Sequence, residues 1–107
     1  MALVVFPDSN LRTAKLRPVL VVQADDLRTG HSQVIVAMIT SNLSRAGHAS
    51  RVKILRAAAE GRQSGLLTDS VVMTDNLATV TDTEIHRVVG SLPMDKVEQA
   101  LRHTLAL

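Results

Sequence analysis

The sequence predicts a mainly β domain, a small and strongly bent sheet or partial barrel with one C-terminal helix (α+β). Five or six short apolar stretches, several rich in valine and isoleucine, are separated by polar turn-forming segments, as in small β folds. A clear helical pattern starts only at Pro93. The chain has 107 residues, which is enough for one domain with one core, so residues 1–107 are expected to form a single unit.

Three strands are expected in the first 40 residues. Residues 2–6 are apolar, residues 18–23 contain a continuous Val-Leu-Val-Val run, and residues 33–40 are again mostly apolar and β-branched. The unbroken run after Pro18 indicates a strand buried on both faces or nearly so. Because proline has a fixed φ and no N–H, Pro18 is predicted to be the first residue of that strand.

The remaining elements are shorter until the last one. Residues 43–50 form a polar loop that can hold a helical turn, and Thr74-Asp75 is expected to separate two strands. The predicted elements are a half-exposed strand at 51–55, a helical turn at 57–65 ended by glycines, strands at 70–73 and 76–80, and a strand or short helix at 84–91. A helix then starts at Pro93, with Met94, Val97, Leu101 and Leu105 at helical spacing.

Composition excludes several classes of function. The chain has no cysteine, hence no disulfide framework and no thiolate nucleophile or metal site. No apolar run approaches the ~20 residues of a membrane helix, so a cytoplasmic protein without a membrane partner is expected. Hydrophobic residues make up 46%, which is high for so small a domain and suggests burial against a second copy.

Charge is unevenly distributed along the chain. Residues 1–56 carry eight basic and three acidic side chains, a net charge of +5, whereas the remainder carries four basic and seven acidic, a net charge of −3. A basic first half is compatible with a polyanionic partner. Phe6 is the only aromatic residue, which argues against nucleic-acid binding on stacked aromatic platforms. Any RNA contact would therefore depend on arginines, hydroxyls and backbone groups.

The stretch around Arg17 is the strongest candidate for a site. Lys15 and Arg17 precede a buried strand, and Pro18 restricts Arg17 to an extended conformation. An arginine fixed at the end of a buried strand can bind an anion; on this stretch alone, a solvated charge remains the alternative. No spacing of His, Asp and Glu suggests a metal site, and no glycine-rich phosphate loop is present.

Four segments, taken in order, carry a family resemblance. Residues 15–22 (Lys-Leu-Arg-Pro-Val-Leu-Val-Val) resemble the Lys-x-Arg-Pro strand of the MazF/PemK toxin endoribonucleases, and residues 36–41, ending in Thr-Ser, resemble that family's third strand. Residues 65–72 and 75–80 are similar to its later strands. The resemblance covers nearly the whole chain and implies an SH3-like barrel of the MazF/PemK/CcdB type that forms a homodimer.

The resemblance also implies an activity and its residues. Such toxins cleave single-stranded RNA without metal or other cofactor, by attack of the 2′-OH on the adjacent phosphate to leave a 2′,3′-cyclic phosphate. By position, Arg17 and Thr40 would bind the scissile phosphate and Asp75 would be the general base. Lys15, Ser41, Asn42 and His48 would be secondary RNA contacts, His48 because it lies in the loop after Thr40.

The implied partners are RNA and a cognate antitoxin, with DNA contacted only through that antitoxin. Many family members have an arginine two residues before the acidic position, where this chain has Met73, and an Arg-Gly-Asp lead before the first strand, which is absent here. Two alternatives stay open, of which the departures at Met73 and in the lead suggest the second. One is a non-catalytic toxin of the same fold that binds a protein such as gyrase, and the other is a decayed antitoxin-binding module.

Overall fold

The computed structural model describes residues 1–7, 14–23, 30 and 32–107, with side chains left out at 5–7 and 14–15. The strands are β1 (Ala2–Pro7), β2 (Ala14–Val21), β3 (Gln33–Thr40), β4 (Arg51–Ile54), β5 (Ser70–Thr81) and β6 (Ile85–Val88). The helices are α1 (Ala59–Ser64) and α2 (Asp95–Leu105), with 3₁₀ turns at Leu43–Arg45 and Asp82–Glu84. Most of the two predicted turns, at 7–14 and 25–30, lies outside the described residues.

The six strands form one antiparallel sheet in the order β4-β5-β3-β2-β1-β6. β3 lies between β2 and the long β5; β2 pairs with it only at residues 36–38, and its last two residues, Ile39 and Thr40, pair with β5. The predicted fold class, a mainly β domain with a C-terminal helix, is confirmed. Within the described part of the chain, no helix combines the length and the hydrophobicity that crossing a bilayer would require.

The prediction that Pro18 begins its strand is wrong, since β2 already starts at Ala14 and pairs with β1 on both sides of the proline. The backbone N–H of Val22 donates to the Ile35 carbonyl, so even-numbered residues of β2 face β3. The pairing of β2 with β3 begins only at Val19. The backbone nitrogen of Pro18 faces β3 at a position where the two strands are not yet paired. The lack of an N–H there therefore costs no hydrogen bond of the ladder.

The two strands predicted at 70–73 and 76–80 are one strand, and the break between them is a bulge. In the pairing with β3, Met38 lies opposite Met73 while its neighbour Ala37 lies opposite Leu77. Residues 74–76 therefore have no counterpart in β3, and the strand bends there. Thr74 is fully buried at this bend, and its hydroxyl donates to the Ser50 carbonyl. The polar pair read as a turn is the corner of a continuous strand.

The sheet is apolar on both faces, as the uninterrupted run in β2 predicts. Neighbouring residues Val19 and Leu20 belong to different core clusters, as do Val36 and Ala37. One cluster, with Leu20 and Ala37, includes Val97 and Ala100 of α2; the other is made by valines of β1, β2, β3 and β5. The high content of hydrophobic residues is thus explained in part by two core clusters within one domain, while other large hydrophobic side chains remain exposed.

Helix α2 is shorter than predicted at its start, and its apolar stripe ends early. Met94 is the N-cap residue and not part of the first turn. Val97 is fully buried, whereas Leu105, predicted to face the core, is 52% exposed. In this last turn the residue that contacts the sheet is Thr104, whose hydroxyl lies 2.8 Å from that of Thr74 in β5.

Candidate active site

Strands β2 and β3 bring Arg17 and Thr40 together. The last pair of this antiparallel ladder is Val19 with Met38, and Arg17 and Thr40 lie two residues beyond it on their respective strands. On its other side Arg17 is paired with Val4 of β1. Two residues 23 positions apart in the chain thus lie at the same end of one strand pair.

Arg17, Thr40 and Ser41 line one open cavity of about 450 Å³. Its walls come from the strand ends around Pro18 and Ile39, from residues 65–68 between α1 and β5, and from Ser70. Arg87 of β6, which is paired with Leu3 of β1, also lines the cavity. The cavity therefore combines two guanidinium groups with several hydroxyl groups and an apolar base, which suits a phosphate attached to a sugar.

Arg87 is the cavity residue that sequence reasoning missed. It belongs to the stretch at 84–91, which could be read as a strand or a short helix. The strand β6 pairs with β1 at the opposite end of the sheet order from β4. Nothing in the local pattern signals that this edge strand would contribute a second cation to the cavity of Arg17.

The Thr40 hydroxyl is oriented by its own loop. Its oxygen accepts the backbone N–H of Asn42 at 3.1 Å. The oxygen is therefore engaged as an acceptor, and the hydroxyl proton is directed elsewhere, available to an incoming phosphate oxygen. This is the arrangement expected of a hydrogen-bond donor at an anion site.

Asn42, predicted to bind substrate, instead forms hydrogen bonds within the loop that follows β3. Its side-chain oxygen accepts the backbone N–H of Ser44 at 3.1 Å and the Ser44 hydroxyl at 2.7 Å, so it caps the 3₁₀ turn that follows. Asn42 does not line the cavity described above. Lys15 is in β2 opposite Phe6, but its side chain lies outside the described residues.

Asp75, predicted as the general base, lies at the β5 bend and is bound by Arg51. The Asp75 carboxylate accepts hydrogen bonds from Arg51 Nη2 at 2.8 Å and from Nε at 3.3 Å. The Arg51 hydrogen bond is the largest cause that holds the pKa of Asp75 below its ordinary value, and the same contact raises the pKa of Arg51. Arg51 also donates to the Arg45 carbonyl at 3.1 Å, which joins the bend to the loop after Thr40.

His48 does not line the Arg17 cavity. It lies near Asp75, whose pKa it helps to lower. Its Nδ1 accepts the backbone N–H of Ser50 at 3.1 Å and lies 2.6 Å from the Ser50 hydroxyl. The centre of its ring is 6.0 Å from that of His103 on α2. Of the predicted site residues with described side chains, the structure thus gathers Arg17, Thr40 and Ser41 in one cavity and places Asn42, His48 and Asp75 outside its lining.

Metal-ligating side chains do not cluster in the part of the chain that the structure describes. No group of three or more His, Cys, Asp or Glu side chains there is arranged to hold an ion. The chemistry that the described cavity offers is that of cations and hydroxyl groups.

Comparison with known proteins places the whole chain in one family. Residues 2–105 match the family described as PemK-like, MazF-like toxin of type II toxin-antitoxin system. The chain is 34% identical over 105 residues to endoribonuclease MazF6 of Mycobacterium tuberculosis, covering 94% of this chain and 88% of that protein. It is 32% identical over 95 residues to endoribonuclease EndoA of Bacillus subtilis, covering 86% and 78%.

Solved structures agree in fold. The M. tuberculosis toxin MazF-mt6 superposes with a TM-score of 0.72 at 24% identity, covering 100% of this chain and 98% of that one. A mycobacterial endoribonuclease in complex with its cognate antitoxin superposes with a TM-score of 0.73 at 19% identity, covering 99% and 92%. The predicted resemblance is confirmed, and the chain belongs to the PemK-like, MazF-like toxins of type II toxin–antitoxin systems.

Proposed function

We propose that this chain is a sequence-specific, metal-independent endoribonuclease that cleaves single-stranded RNA and so inhibits growth. The observation that carries the proposal is the cavity in which Arg17, Thr40 and Ser41 meet from adjacent strands. The relatives at 34% and 32% identity, which are named endoribonucleases, support the same activity.

In the proposed reaction the 2′-oxygen of one nucleotide attacks the adjacent phosphorus. The 2′-OH loses its proton to a base, the bond from phosphorus to the 5′-oxygen breaks, and that oxygen leaves with a proton. The products are a 2′,3′-cyclic phosphate and a 5′-hydroxyl. Negative charge increases on the phosphate oxygens in the transition state, so preorganised cations and donors accelerate the step.

Arg17 and Thr40 supply that stabilisation. The guanidinium of Arg17 binds two phosphate oxygens in its planar fork, and the Thr40 hydroxyl donates its proton to one of them. Arg87 adds a second positive charge to the cavity lining. With Met73 in place of the arginine that many relatives have, Arg17 would otherwise stabilise the phosphate alone.

The assignment of Asp75 as general base stays a prediction. Its carboxylate is ionised and so can accept a proton, but the Arg51 hydrogen bond lowers its pKa and thereby its basicity. To act as the base, Asp75 must come within hydrogen-bond reach of the 2′-OH beside the phosphate that Arg17 binds, and it lies outside the lining of that cavity. We therefore include Asp75 in the test and do not base the proposal on it.

The proposed protein acts in the cytoplasm as a homodimer and is neutralised by a cognate antitoxin. The solved mycobacterial endoribonuclease that has a TM-score of 0.73 was captured with its antitoxin, which supports a partner of that kind. Contact with DNA would occur only through the antitoxin.

The test is to incubate the purified protein with a long transcript, in the presence of a chelator, and to map the cut ends. Wild type should leave 2′,3′-cyclic phosphate ends at a defined sequence, and Arg17→Ala should cleave at least about 100-fold more slowly. Thr40→Val should lose activity and Thr40→Ser should keep most of it, because serine retains the hydroxyl. Arg56→Ala, an exposed arginine outside the cavity, is the matched control and should cleave normally.

Two outcomes would contradict the proposal. Uncut RNA with folded wild-type protein would exclude the nuclease and favour a non-catalytic toxin or a decayed module. Equal activity of wild type and Arg17→Ala would show that the cavity is not the active site. An activity of Asp75→Asn reduced by about 100-fold or more would identify that carboxylate as the base, whereas a normal rate would remove it from the mechanism.

A further inference from the structure

The loop that follows Thr40 is not held in place by hydrophobic packing. The 3₁₀ turn Leu43–Arg45 within it has no buried residue, so the position of the loop depends on its hydrogen bonds. One of them reaches the candidate site, because the Thr40 oxygen accepts the Asn42 N–H. Whatever fixes the loop therefore also fixes the direction of the Thr40 hydroxyl.

Two hydrogen bonds inside the loop lead from Arg45 back to Thr40. The Arg45 N–H donates to the Asn42 carbonyl at 3.1 Å, and the Asn42 N–H donates to the Thr40 hydroxyl at 3.1 Å. The Asn42 side chain also caps the turn at Ser44. Residues 40–45 thus form one hydrogen-bonded unit, in which a displacement of Arg45 changes the peptide group that orients the Thr40 hydroxyl.

Arg51 attaches this unit to the sheet. Its Nη1 donates to the Arg45 carbonyl at 3.1 Å. Among the described residues, no other hydrogen bond joins residues 41–46 to a side chain or backbone group beyond the loop. Arg51 is itself well placed for this, because it is the first residue of β4 and is paired with Met73 of β5.

Asp75 fixes the guanidinium of Arg51. Its carboxylate accepts hydrogen bonds from Nε and Nη2, which leaves Nη1 for the Arg45 carbonyl. Because a guanidinium is planar, two bonds to one carboxylate determine the direction of its remaining N–H groups. Asp75 lies within the β5 bulge at 74–76, which has no counterpart in β3, and a bulge of this kind re-aims a side chain.

We propose that Arg51 is a positioning residue that orients the Thr40 hydroxyl through Arg45 and Asn42, and that Asp75 acts with it by holding the guanidinium. The effect on catalysis rests on the proposed function, in which the Thr40 hydroxyl binds the phosphate; the link from Arg51 to Thr40 does not. Neither Arg51 nor Asp75 lines the Arg17 cavity, and neither needs to touch RNA in this role.

The first measurement needs no RNA and follows amide hydrogen exchange of the full chain by NMR. In Arg51→Gln the Asn42 and Arg45 amides should exchange at least about fivefold faster than in wild type, because the loop has lost its attachment. Arg51→Lys should show the same increase, since its ammonium keeps the charge beside Asp75 but lacks the fork that also reaches Arg45. Lys53→Gln, the matched control, removes one positive charge at an exposed position of the same strand and should leave both rates unchanged.

The second measurement is the rate of RNA cleavage. Arg51→Gln should lower kcat about tenfold and leave KM within about twofold, because the Thr40 hydrogen bond is strongest in the transition state. In a Thr40→Val background the same substitution should lower kcat by less than about twofold, because the group that Arg51 positions is absent. Asp75→Asn should likewise have little further effect in an Arg51→Gln background, whereas loss of a general base would lower kcat in both backgrounds.

Three results would overturn the proposal: unchanged exchange at Asn42 in Arg51→Gln, the same acceleration in Lys53→Gln, or an equal loss of kcat in the wild-type and Thr40→Val backgrounds. The last would mean that Arg51 supports the fold in general and not the Thr40 hydroxyl in particular. A wild type that does not cleave RNA, while Arg51→Gln still accelerates exchange at Asn42, would contradict the nuclease and leave the link from Arg51 to Thr40 intact.

Discussion

The ion pair between Arg51 and Asp75 is a contact at the residue scale with a consequence for structure. It connects the bend of β5 to β4, and through the Arg45 carbonyl it reaches the loop that starts beside Thr40. Both side chains are partly exposed, Arg51 at 23% and Asp75 at 35%, so solvent screens the pair. Its importance is therefore geometric as much as energetic.

The stability that this pair contributes should depend on pH in one direction. Because the folded-state pKa of Asp75 is lowered, its contribution is fully present above the ordinary pKa of an aspartate, about 3.9, and is lost as pH falls through the lower folded-state value. A double-mutant cycle of Arg51→Gln and Asp75→Asn, measured by urea unfolding, should give a favourable coupling at pH 7 that decreases as the pH is lowered below about 3.9. A coupling that is constant across this range would mean that the contact is not ionic.

Arg17 and Arg87 show how differently two residues of one cavity are encoded. Arg17 stands beside a proline at the start of an apolar run, which marks it locally. Arg87 has exposed neighbours at His86 and Val88, and no local feature separates it from an ordinary surface charge. Only the pairing of β6 with β1 places it on the cavity.

At the scale of elements, helix α1 is fixed by a close backbone approach. A Cβ added to Gly61 would lie 2.0 Å from the Leu55 carbonyl oxygen and 2.6 Å from Arg56 Cα. The helix ends at Gly65, which has a φ of 77° and lines the Arg17 cavity. Because residues 65–68 follow α1 directly and line the cavity, the position of α1 determines where that wall lies.

Gly61→Ala should destabilise the protein although alanine is the better helix former. Alanine gains about 1 kcal/mol over glycine in a helix interior, but the backbone atoms next to Gly61 cannot accommodate a methyl group at these distances, and overpacking typically costs about 1–3 kcal/mol. Thermal unfolding should show a lower Tm for Gly61→Ala. A Tm above that of wild type would mean that α1 is free to move away from residues 55–56.

At the scale of the whole molecule, several large apolar side chains remain at the surface of one chain. Leu67, next to the Arg17 cavity, is 82% exposed, and Leu105 and Leu107 at the end of α2 are 52% and 81% exposed. A small domain that exposes such residues near its site and at one helix end has apolar surface available for a second copy. This is the structural support for the proposed homodimer.

Sedimentation at micromolar concentration should therefore give twice the chain mass of 11.5 kDa. Leu105→Glu should shift the protein toward monomer if the end of α2 is in the interface, because a charge would be buried there. Leu55→Glu, at an equally exposed leucine after β4, serves as the control and should leave the mass unchanged. A strictly monomeric wild type would contradict the dimer.

The sequence by itself determined the fold class and the position of most elements. β3 was predicted with its exact bounds because a mostly apolar, β-branched run lies there between polar segments, whereas the roles of Arg17 and Thr40 rest on the family resemblance and stay predictions. The local sequence pattern was enough to predict an element wherever the burial and backbone preferences of that segment alone decide its structure.

Only the tertiary structure decided which residues share a site. Pro18 lies inside a strand because β3 begins pairing one residue later, and Thr74–Asn76 form a bulge because β3 has no residues opposite them. Arg87 joins the Arg17 cavity, and Asp75 pairs with Arg51 outside its lining, through contacts across strands. The physical reason is that sequence patterns encode burial and backbone preference along one segment, whereas register between distant segments depends on how the whole sheet closes.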